Sequence, residues 1–128
     1  MAARVHFLGA VNGAELADRL RNSHVLVVPS SYEGFGIVYV EGMGFGLPAI
    51  AGLAGAAGEI ITHGQDGFLV PPENAEAVAR CLRILLHDQG RLVEMSLAAR
   101  RRYLAHPTWE QTWQEIRRFL LSISNESQ

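Results

Sequence analysis

Glu33 and Glu41 stand with seven residues between them in Pro29-Ser30-Ser31-Tyr32-Glu33-Gly34-Phe35-Gly36-Ile37-Val38-Tyr39-Val40-Glu41. Two carboxylates close in sequence suit two chemistries. They can act as the acid and nucleophile of glycoside hydrolysis, or accept hydrogen bonds from sugar hydroxyls. The glycines between them favour the second. Gly34 and Gly36 let the backbone approach a ligand closely and leave amide groups facing it. If a helix opens at this point, its dipole adds to those amides and favours a diphosphate. Glu41 would lie about two turns into that helix, on an otherwise apolar face. A buried carboxylate there needs hydrogen-bond partners, and the vicinal hydroxyls of a ribose would satisfy both of its oxygens. Taken without their neighbours, the two glutamates also read as a helix-capping carboxylate and a solvated one.

The elements around this stretch must hold it in place. Val25-Leu26-Val27-Val28 is an unbroken apolar run, as expected of a parallel strand covered on both faces. It delivers the chain to Ser30. The helix expected over 35–45 stops at Gly46, with Pro48 just beyond. Further strands are expected at Val5–Leu8, Leu47–Ala51 and Phe68–Val70, with one helical turn at Glu59–Ile61. Asn12 caps a helix that ends near Asn22. After the Asn74 cap, Ala75, Val78, Ala79, Leu82, Leu85 and Leu86 share one helical face. Leu92, Met95, Ala99 and Tyr103 mark a second helix. Thr108-Trp109-Glu110-Gln111 is a capping box that opens a third, striped by Trp109, Trp113, Ile116, Leu120 and Ile123. Residues 125–128 are expected to fray.

Alternating strands and helices predict an α/β fold: a partial Rossmann-like parallel sheet of about four strands with flanking helices. One partial domain is expected over 1–128, with an α/β core at 5–72 and C-terminal helices at 73–125. In such sheets ligands bind beyond the carboxyl ends of the strands, where Ser30–Gly36 falls.

The 128 residues are 48% hydrophobic and 19% charged, with a net charge of −2. No nucleic-acid footprint is present, and Arg100-Arg101-Arg102 reads as a solvated helix face. The five histidines have no metal-ligand spacing, so no metal is expected. The single Cys81 reads as a small buried thiol, and a reducing, cytoplasmic setting is expected. Gly34-Phe35-Gly36 lacks the third glycine and the acid of a dinucleotide fingerprint.

The ordered set of motifs resembles the retaining family 4 glycosyltransferases of GT-B fold. Their hallmark is Glu, seven residues, Glu, within Pro-Ser-x-x-Glu-Gly-Phe-Gly and followed by Glu-Ala-Met-Ala-x-Gly-x-Pro. Here Glu41-Gly42-Met43-Gly44-Phe45-Gly46-Leu47-Pro48 follows the first part, with glycine at 42 and 44 in place of alanine. Phe7-Leu8-Gly9, Gly58-Glu59-Ile60-Ile61, Asp66-Gly67-Phe68-Leu69-Val70-Pro71 and Thr108-Trp109 extend the similarity over roughly residues 5 to 123. The resemblance implies a nucleotide-diphosphate-sugar donor and no cofactor. Glu33 would contact the transferred sugar as the catalytic-site residue. The amides of Gly34, Phe35 and Gly36, with Ser30 and Ile37, would line the sugar and phosphates, and Glu41 would bind the ribose.

The same resemblance implies parts not found here. The family's donor domain opens with an arginine and a lysine for the diphosphate, and this sequence has no lysine. An acceptor-binding domain or partner chain would form the other wall of the cleft. In the full-length context, attachment to the inner face of a membrane is compatible with the family. By analogy the sheet order would be 3-2-1-4-5-6, with strands 3 to 6 represented. Val25–Val28 would then be an open apolar edge, to be met by re-pairing with Val5–Leu8 or by a homodimer. Two readings compete with a transferase: a non-catalytic nucleotide-sugar-binding or interaction module, and an inactive remnant.

Overall fold

The computed structural model describes residues 4–32 and 34–126, without the side chains of residues 125 and 126. Glu33 therefore lies outside the described residues, as do Ser127 and Gln128. Three parallel strands form one sheet in the order β1-β2-β3: Leu26–Val28, Ala49–Gly52 and Gly67–Val70. Val27 pairs with Ile50, and Ile50 with Phe68. Among the described residues six helices accompany them: α1 (Gly13–Arg21), α2 (Ile37–Gly44), α3 (Ala57–Ile60), α4 (Ala75–His87), α5 (Gln89–Ala105) and α6 (Trp109–Glu126).

The α/β architecture follows from where the apolar residues fall. β2 is buried along its whole length, so its alternating side chains supply two cores. Ala49 and Ala51 face Tyr39 and Met43 of α2 and Ala99 of α5. Ile50, Phe68 and Val70 face Ala77, Cys81 and Leu85 of α4 and Met95 of α5. Small residues on the first face let α2 lie close to the sheet. The helix starts are those expected from the caps. Asn12 accepts from the Glu15 amide and Asn74 from the Ala77 amide, both at 2.9 Å. Thr108 and Gln111 exchange the two bonds of a capping box. Asp88 caps α5 by accepting from the Arg91 amide, which separates α4 from α5.

Two expectations are corrected. Val5–Leu8 is not a strand: residues 5–9 carry no regular structure, and Phe7 is 97% exposed. A strand needs a partner for its backbone groups, and none of the described strands lies beside this segment. Val5–Leu8 therefore does not re-pair with β1, and among the described residues the sheet has three strands rather than about four. The edge of β1 away from β2 carries no strand among the described residues. The second correction concerns Trp109 and Trp113, expected to pack the last helix with only part of its apolar face exposed. Trp109 is 88% exposed, and Trp113, Ile116, Phe119 and Leu120 are exposed beside it. α6 also continues regularly through Asn125 to Glu126, where fraying was expected. Among the described residues, no helix is long and apolar enough to cross a membrane.

Candidate functional site

β1 ends at Val28, and the chain passes through Pro29 and Ser30 to the start of α2 at Ile37. Gly36 is the residue that makes this passage feasible. It caps α2 with φ of +68°, a left-handed conformation that an L side chain rarely adopts. A Cβ there would also collide with Ile60 of α3. No side chain among the described residues caps α2, so the positive end of its dipole faces outward at the carboxyl end of the sheet. Gly34, Phe35 and Ile37 are exposed around that end.

Ser30 is half-buried, and its backbone is set by a glycine one strand away. A Cβ on Gly52, the last residue of β2, would meet the Ser30 carbonyl oxygen. Gly52 thus lets the segment after β1 fold down onto the end of β2. Sequence reasoning missed this residue; its only signal was a glycine closing the apolar run Ala49–Ala51.

Glu41 is the fifth residue of α2, a little over one turn from its start. It is exposed, which corrects the expected buried position: the apolar face of α2 is carried by Tyr39 and Met43, and Glu41 lies off it. Glu41 shares a side of the helix with Ile37, four residues earlier. Both line an open cavity of about 960 Å³ between α1, α2 and the α5–α6 junction, together with Phe35, Leu16, Phe45 and Trp109. Glu41 is the one carboxylate among the described lining residues. A smaller cavity of about 230 Å³ lies towards α3, lined by Glu59, Arg102 and, shared with the larger one, Phe35, Val40, Tyr103 and His106. The structure therefore brings Phe35, Ile37 and Glu41 to one cavity, while Ser30 and Gly34 line neither.

The arginine run on α5 is more than a solvated face. Arg100 donates to the Gly44 carbonyl, and Arg102 to the Glu59 carbonyl at 2.8 Å. Each guanidinium meets carbonyls at the C-terminal end of a helix, where the dipole favours a cation. Two other groups are structural. Asp66 is only 5% exposed and accepts from the Thr62 amide at 2.8 Å, closing the turn before β3. Burial pushes its carboxyl above the ordinary range, partly opposed by that hydrogen bond and by Arg102. Cys81 is buried and its thiol is also pushed up by burial, the inert state read from the sequence.

Comparison with known proteins defines the class. The sequence profile described as glycosyl transferases group 1 matches residues 1–102. The chain belongs to this family. It is 36% identical over 112 residues to a D-inositol 3-phosphate glycosyltransferase from Rhodococcus jostii, a match that takes in 88% of this chain and 25% of that protein. Sucrose-phosphate synthase from Thermosynechococcus elongatus superposes with a TM-score of 0.83 at 33% identity, over 94% of this chain and 31% of that one. Anabaena HepE, solved in complex with UDP, superposes with a TM-score of 0.86 at 28% identity, over 94% of this chain and 33% of that one. HepE has also been solved with UDP-glucose. The chain thus spans a quarter to a third of the length of these relatives, and its α/β architecture is that of GT-B glycosyltransferases.

Proposed function

We propose that this chain is the donor-binding part of a retaining glycosyltransferase of family 4, which holds a nucleoside diphosphate sugar without a metal. The observation that carries the reading is the placement of Glu41. Among the described residues it is the single carboxylate lining a cavity of about 960 Å³, on the same side of α2 as Ile37 at the helix start. A ribose on Glu41 would extend its diphosphate towards the N-terminus of α2, where amides and dipole complement negative charge. The amides of Gly36 and Ile37, at the helix start, serve that diphosphate, and the segment of Ser30, Gly34 and Phe35 serves the sugar. Glu33 would meet hydroxyls of the transferred sugar, a role that rests on the family motif.

The N-terminus of α2 would also stabilise charge on the departing diphosphate as the glycosidic bond breaks. The acceptor wall of the cleft, and cations for the diphosphate beyond the arginines of this chain, belong to other parts of a complete enzyme or to a partner. The open edge of β1 calls for a strand, from such a part or from a second copy. The isolated chain then binds donor without turning it over.

The competing reading is a remnant with no donor site. Calorimetric titration of the full chain with uridine, UDP and UDP-glucose separates the two. UDP is expected to bind at least tenfold more tightly than uridine, because the nucleoside alone leaves the helix N-terminus unused. Equal affinity for uridine and UDP, or no binding of any of the three, contradicts the proposal.

A further inference from the structure

The segment between β1 and α2 is held at both ends by one side chain. Tyr39 is fully buried, yet it sits in the first turn of α2 among apolar neighbours. Its hydroxyl donates to the carbonyl of Val28, the last residue of β1, at 3.2 Å. At the other end of the segment its ring lies under Gly36: a Cβ on that glycine would stand 3.1 Å from Tyr39 Cδ2. The Tyr39 amide also donates to the Gly36 carbonyl at 3.0 Å. The ring therefore spans from the exit of the strand to the entry of the helix. The distance between those two points is set by a rigid six-membered ring and one directed hydrogen bond.

A core residue at this position has no need of a hydroxyl. Phenylalanine would fill the same space against Met43, Ala49 and Ala51, which share the cluster with Tyr39. The hydroxyl has a specific address, the part-buried carbonyl of the last strand residue before Pro29 and Ser30. We propose that Tyr39 is a positioning residue for the donor site, fixing the segment that carries Ser30, Gly34 and Phe35 relative to the N-terminus of α2. The inference rests on the proposed donor site. It deepens that site by dividing it in two. Glu41 and the helix hold the nucleotide, and the segment pinned by Tyr39 governs the additional hold on the sugar.

The division gives a readout that a purely structural role would not move. Tyr39→Phe keeps the ring and removes only the hydroxyl. In the full chain it is expected to lower affinity for UDP-glucose about tenfold while changing affinity for UDP less than twofold, because small displacements of positioning groups are costly. Ile50→Val, a core change on the opposite face of the sheet, should leave the ratio of the two affinities at the wild-type value. An unchanged ratio in Tyr39→Phe overturns the inference while the donor site stands. A Tyr39→Phe chain that fails to fold overturns it as well, since the hydroxyl would then be a scaffold group. Wild type that binds neither UDP nor UDP-glucose removes the donor site and this inference together.

Discussion

Gly44 at the end of α2 lies against the ring of Tyr103 in α5: a Cβ on Gly44 would stand 3.0 Å from Tyr103 Cε2 and 3.2 Å from Cδ2. Three residues before Tyr103, Arg100 donates from its guanidinium to the Gly44 carbonyl. α2 and α5 therefore meet closely at this point, which gives Gly44 a packing cause.

Alanine at 44 sets helix propensity against this contact. Glycine costs a helix interior about 1 kcal/mol relative to alanine, and less at a helix end. The ring must move by a few tenths of an ångström to admit a methyl. Gly44→Ala is expected to leave the thermal midpoint unchanged or lower. In a Tyr103→Ala background the same substitution should raise it. A double-mutant cycle in thermal unfolding checks the coupling; additive effects would mean the ring is no obstacle.

Asp66 makes a pH-dependent prediction. Its folded carboxyl is raised above its ordinary value of 3.8, chiefly by burial. The folded chain then holds this proton more tightly than the unfolded chain, so stability from this group falls as pH rises through the folded value. Ionising the group in the fold therefore carries a cost. Asp66→Asn retains an acceptor for the Thr62 amide and removes the charge. Relative to wild type it should be more stable at pH 7, with the difference shrinking as pH falls towards 4. Chemical denaturation across that range measures it, and a difference that grows on acidification would contradict the account.

The open edge of β1 predicts association. The Leu26 amide donates to Pro48 on the β2 side, leaving the other side of the strand for a partner. Half-exposed Val27 lies at its centre. Sedimentation velocity is expected to show concentration-dependent dimerisation of the full chain, weakened at least fivefold by Val27→Lys, since edge lysines oppose strand pairing. Equal self-association in the variant would place the contact elsewhere, and the exposed face of α6 would be the next surface to change.

Much of the framework was legible because it rests on local signals. Continuous apolar runs marked β1, β2 and β3, and the caps at Asn12, Asn74 and Thr108 marked three helix starts. What failed depended on partners. Val5–Leu8 has the composition of a strand but no described strand to pair with. The α6 stripe has the period of a packed helix but no described element over it. Glu41 was expected inside because its neighbours are apolar, yet Tyr39 and Met43 carry the buried face of α2 and Glu41 lies off it. Tyr39, Gly52 and Asp66 act through contacts with Val28, Ser30 and Thr62. In sequence they are an aromatic in an apolar run, a small residue after a strand and a turn acid. The motif named the candidate site, and packing supplied the reasons for its shape.

In the proposed donor site Glu41 holds the ribose of a nucleotide, a role that a change of ligand can isolate. It is tested most directly by titrating wild type and Glu41→Ala with UDP and with 2′-deoxy-UDP. A carboxylate bonded to a sugar hydroxyl contributes roughly 1.5–3 kcal/mol. Wild type should therefore bind UDP at least tenfold more tightly than 2′-deoxy-UDP, and Glu41→Ala should bind both equally weakly. Wild type that does not distinguish the two ligands, or a Glu41→Ala chain that still does, would contradict the account.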